Sequence, residues 1–104
     1  MTNYLLLYFG GGMPKDEAEG KKVMADWAEW MKQCGENLVD AGNPCSNAKL
    51  VTKDSVKDIS GDRVTGYSVI KADSMDNAVH AAQMVPLVVD GSGSAAVYET
   101  FDAM

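Results

Sequence analysis

Histidine and cysteine are scarce in this chain: one His and two Cys in 104 residues. A soft-metal centre needs several nitrogen and sulfur ligands at short spacing, and no Cys-x-x-Cys pair is present, so no metal is expected. Basic residues are also few, nine against fifteen acidic ones, for a net charge of −6. Nucleic acid and anionic membrane surfaces are bound by clustered Lys and Arg. Here the basic residues are scattered, with Lys21-Lys22 the only doublet. No apolar run approaches the roughly 20 residues that span a bilayer. The opening stretch MTNYLLLYF carries no basic lead, so it does not read as a signal peptide, and the cytoplasm is the expected compartment. In that reducing setting Cys34 and Cys45 are expected as two buried free thiols.

What is present organises residues 1–104 as one domain. Tyr4–Phe9 is apolar on both alternating sets, Tyr4, Leu6, Tyr8 and Leu5, Leu7, Phe9, which predicts a strand covered on both faces. Asp16-Glu17-Ala18-Glu19 resembles a capping box, and a helical pattern runs from it to Ala41. At 100° per residue, Val23, Met31, Cys34, Leu38 and Ala41 fall within about 60° of Trp27, which places Trp27 mid-stripe and Trp30 at its edge. Gly42 and Pro44 then stop the helix.

Ala48–Thr52 and Val56–Ile59 read as a weak strand pair or one interrupted edge strand, and Val64–Ala72 as a strong strand. Ser74 caps a short helix, Met75 to Val85, which Pro86 ends; Ala95–Phe101 is the last strand. Strand, helix, strand, strand, helix, strand with right-handed crossovers predicts a ferredoxin-like βαββαβ fold of the α+β class, with four antiparallel strands and both helices on one face. The opposite face, lined by one of the two apolar sets of Tyr4–Phe9 (the one holding Leu5 or the one holding Leu6), needs a cover. A second copy of the sheet supplies it, which predicts a homodimer in the form of a dimeric α+β barrel.

YLLLY at the start, Trp27 and Trp30, LVDAGNP at 38–44, GYSVIKADSMDNAVHAAQMVP at 66–86 and VYETF at 97–101 resemble the YCII-related, or DGPF-type, domain family over nearly the whole chain. That resemblance implies a dimeric α+β barrel, a bacterial origin and no assigned reaction. It also implies an association, common among similar members, with extracytoplasmic-function sigma factors. The Asp-Gly-Pro-Phe motif is replaced by KDISGDRVT, and Leu87 stands where a histidine often follows the helix-ending proline. No histidine–aspartate pair is therefore carried over, and an acid–base enzyme is disfavoured.

The glycine triplet Gly10–Gly12 lacks the Lys-Ser/Thr of a Walker loop and the third spaced glycine of a dinucleotide fingerprint, so it reads as a corner. His80 is expected outward on its helix, hydrogen-bonded to Asp76 one turn back and a bystander to binding. The expected ligand contacts are Trp30, Tyr67, Asp40 and Asn43, with Trp27 behind them. The ordinary role of Asp40 and Asn43 is to serve the turn around Gly42, and that reading outweighs ligand contact. Two functions stay open. One is a small-molecule-binding protein or cofactor-independent enzyme with a pocket between sheet and helices. The other is a non-catalytic regulatory accessory.

Overall fold

A computed structural model describes residues 1–11 and 14–103, so Gly12 of the triplet lies outside the described residues. Strand β1, Thr2–Gly10, is central in a four-stranded antiparallel sheet. Helix α1, Glu17–Cys34, begins where the Asp16 carboxylate accepts the Glu19 N–H at 2.8 Å, the side-chain cap that the acidic run predicts. Strands β2, Leu38–Asp40, and β5, Val64–Ala72, lie on one side of β1, and β6, Gly93–Glu99, lies on the other. The sheet order is β2-β5-β1-β6. Helix α2, Met75–Gln83, starts at Ser74, whose hydroxyl accepts the Asn77 N–H. A short helix α3, Pro86–Val89, takes proline at its first position, where a missing N–H costs nothing. Two small strands, β3 Lys49–Val51 and β4 Val56–Asp58, form a separate hairpin. The ferredoxin-like α+β fold is the one that the element order predicts.

Two elements differ from the sequence reading. The first helix stops at Cys34 instead of continuing to Ala41. Gly35 takes φ 55°, and its N–H bonds back to the Met31 carbonyl. A left-handed residue there ends the helix cheaply only because it is glycine. After a single 3₁₀ turn, Leu38–Asp40 enters the sheet beside β5, pairing Leu38 with Ile70. The second sheet strand is therefore Leu38–Asp40, and the weak pair at 48–59 is an excursion outside the main sheet.

The core lies on the helix side. Tyr4, Leu6 and Tyr8 of β1 and Ser68, Ile70 and Ala72 of β5 are buried there under Trp30, Ala78, Ala82 and Val85. Leu6 is fully buried, a stabilisation of about 1.5–3 kcal/mol relative to exposure. Leu5, Leu7 and Phe9 point the other way and stay half-buried in the single chain.

Candidate functional site

Where the C-terminal half of α1 meets α2 over the end of β5, the structure opens a cleft of about 460 Å³. That size suits a small ring compound. Its floor is Trp30, 3% exposed, whose indole Nε1 donates to the Ala81 carbonyl at 3.0 Å. This bond ties α1 to α2 and satisfies the indole's one polar atom. Around the rim stand Gln33, Asn37, Asp73, Asn77 and His80. Asn77 and His80 reach the same opening because they lie three residues apart on α2.

Cys34 also lines the cleft, and burial pushes its thiol pKa up. A thiol raised by burial stays neutral at physiological pH and is a poor nucleophile. The structure makes Cys34 an apolar wall. Cys45, expected to be buried, is exposed in the loop after Pro44; both thiols are free.

The stripe on α1 is turned toward Trp30. Trp30 is buried and Trp27 half-buried, the reverse of the sequence expectation, because the helix rests on the sheet through the Trp27, Trp30, Met31 and Cys34 edge. The two indoles meet edge to face at 5.8 Å, and Trp27 meets Tyr8 at 5.2 Å. Tyr8 is 4% exposed, and burial pushes its phenol up to about 12. The nearby Ser68 hydroxyl donates instead to the Ala41 carbonyl at 2.8 Å. Among the described residues, the Tyr8 hydroxyl is a buried polar group without a partner.

His80 is exposed, as its helix face predicts, but it shares the cleft with Trp30. Sequence reasoning missed this because it placed His80 only on its own helix and not against α1. The expected Asp76–His80 contact is not formed among the described residues. Both side chains are exposed, where such a pair gains little.

The other expected contacts lie elsewhere. Tyr67 alternates with buried Gly66 and Ser68, so it stands on the outer sheet face opposite Leu7, across the sheet from Trp30. Asp40 accepts the Gly42 N–H at 2.8 Å, and both Asp40 and Asn43 are exposed. Gly42 has φ 78°, and a Cβ on it would sit 1.6 Å from the Tyr67 carbonyl oxygen. The corner is built by close backbone approach that only glycine allows. Of the five expected residues, then, the structure gathers Trp27 and Trp30 on one face, and Tyr67, Asp40 and Asn43 near β2 and β5.

The start of the glycine triplet is also a corner. The Gly11 N–H donates to the Ser92 carbonyl at 2.9 Å, tying the end of β1 to the start of β6. A second groove, about 420 Å³ between α2, α3 and β6, offers only Gln83 and Ser94 as polar side chains. Among the described residues no cluster of His, Cys, Asp and Glu is arranged to hold a metal ion, and no helix is long and apolar enough to cross a membrane.

Comparison with known proteins finds no matching family model and no matching curated protein. It does find the fold. A solved structure of 5-chloro-2-hydroxyhydroquinone dehydrochlorinase (TftG) from Burkholderia phenoliruptrix AC1100, in complex with 2,5-dihydroxybenzoquinone, superposes with a TM-score of 0.55. Identity is 17%, over 94% of this chain and 93% of that one. The likeness is one of architecture.

Proposed function

We propose that this protein is a bacterial, cytoplasmic YCII-like homodimer that binds a small, planar, oxygen-bearing molecule in the cleft between Trp30 and His80. The observation that carries this reading is the convergence of polar side chains from α1 and α2 above one buried indole. An apolar floor with a few polar rim groups is the usual make-up of a small-molecule site. The ligand of the structural neighbour, a dihydroxylated quinone, is a compound of this size and kind. In the proposed pose the ring lies against Trp30 and Cys34, while Gln33, Asn37 and Asn77 meet its oxygens. His80 is the rim group whose imidazole nitrogens can both accept and donate a hydrogen bond to the ligand, with no cofactor required. Because Cys34 is held neutral, any turnover would run through His80 as a proton acceptor, not through a covalent thiol adduct.

Isothermal titration and amide chemical-shift mapping with 2,5-dihydroxybenzoquinone test this reading. Binding should shift Gln33, Asn37, Asn77 and His80 together, and His80→Ala should weaken it about tenfold without loss of fold, as for one lost hydrogen bond at an exposed helix position. Shifts confined to Tyr67 and the Asp40–Asn43 corner would move the site to the outer face, and no binding would remove the quinone-like class. The accessory reading draws on the apolar outer face instead; a second polypeptide retained on that face through purification would favour it.

A further inference from the structure

The β3–β4 hairpin is well made, and among the described residues its two strands pair only with each other. Lys49, Leu50 and Val51 pair in register with Asp58, Lys57 and Val56. Lys49 and Asp58 form an ion pair, and the Thr52 N–H donates to the Ser55 carbonyl across the turn at 2.8 Å. All six strand residues are exposed, with Val51 at 70% and Val56 at 66% facing each other at the tip and Leu50 at 52% on the other side. A lone two-stranded hairpin is marginal in water, and a bare apolar tip invites association.

Three observations say what lies against it. Both roots of the arm are fixed at the open edge of the sheet: Pro44 bridges Gly66, and the Cys45 N–H donates to the Thr65 carbonyl at 2.9 Å. The arm thus leaves the sheet beside Tyr67, on the border of the apolar outer face. Second, the chain measures 43 × 40 × 19 Å. The short dimension leaves room for one sheet and one helix layer, with no third layer for an arm folded back over them, in keeping with the exposure of all six strand residues. Third, four of the nine basic residues and only three of the fifteen acidic ones lie in 49–63. The arm carries +1 and the rest of the chain −7, so the body of another copy attracts it.

We infer that the hairpin is an arm that clasps the flank of a second copy of this chain seated on the outer sheet face. The inference rests on the homodimer proposed above, and the test separates the two. Sedimentation equilibrium would compare the wild type with a Val51→Asp/Val56→Asp double variant, which removes the apolar tip and reverses the arm's charge, and with a variant in which 49–58 is replaced by a short Gly-Ser link. Because both valines are exposed in the single chain, the aspartate variant leaves the sheet intact even if the deletion does not fold. Dimer dissociation should become about tenfold easier or more, the loss expected when a buried valine pair is replaced. The wild-type dimer should also weaken with rising salt more steeply than the deletion variant. A dimer unchanged in strength with an aspartate-bearing arm overturns the clasp while leaving the sheet-face dimer standing, and gives the arm to a different partner. A wild-type chain that stays monomeric overturns both.

Discussion

The two faces of the sheet are built from neighbouring residues with nearly the same chemistry, and they end up in opposite conditions. Leu6 is sealed under Trp30 and the small α2 residues Ala78 and Ala82; Leu5 and Leu7, one position away, point to the opposite face and are only half-buried. A helix-covered sheet needs only one apolar set per strand. The second set on β1 is the surplus, and it is the surface that the proposed dimer would cover. The difference separates the face whose stability is local from the face on which the proposed dimer would make stability depend on concentration.

The comparison breaks most sharply under one substitution made on each side. Leu6→Asp should prevent folding, with a cost above about 4 kcal/mol for an unpaired buried carboxylate, and circular dichroism would show loss of the native spectrum. Leu7→Asp should keep the secondary structure and yield a monomer by light scattering, because the same charge there meets water. Equal behaviour of the two variants would erase the distinction between the faces.

A smaller effect sharpens the inner side. Tyr8→Phe removes a buried hydroxyl that has no partner among the described residues. It should raise stability in urea by about 1 kcal/mol, the reverse of the usual effect of a core substitution. The phenol's pKa lies above its ordinary value of 10.0, at about 12 in the folded state. Stability from keeping it neutral is full below pH 10 and is lost as pH climbs toward 12, where the unfolded chain ionises first. That part of the alkaline loss should vanish in Tyr8→Phe. A destabilised variant would mean that the hydroxyl is bonded after all.

How much of this was legible in the sequence follows from which signals are local. The doubly apolar β1, the Asp16 and Ser74 caps and the order of elements carry the fold. The end of α1 was not legible, because Leu38 falls on the same helical stripe as Trp27 and Cys34, and its periodicity continues through the break at Gly35. The face of Tyr67 was hidden for a different reason. Along β5 the two alternating sets, Ser68, Ile70, Ala72 and Tyr67, Val69, Lys71, are equally mixed in polarity. The facing is settled by tertiary partners: Ser68 and Ile70 pair with the buried Leu6 and Tyr4 of β1, and the Ser68 hydroxyl donates to the Ala41 carbonyl. The cleft needed two helices placed together: nothing local relates Gln33 and Asn37 to His80. The Trp27–Trp30 pair was visible as a motif, but which indole is covered depends on how far α1 rolls on the sheet.

That same pair has an optical consequence. Two indoles at 5.8 Å and 83° share their excited states, and a third ring, Tyr8, stands at the end of the row. The native chain should therefore show strong near-ultraviolet dichroism, with emission divided between one shielded and one partly wetted tryptophan. Because Trp30 alone of the two lines the cleft, a bound quinone should darken the bluer part of that emission first, so the protein contains its own unlabelled dye for following both occupancy and the roll of α1.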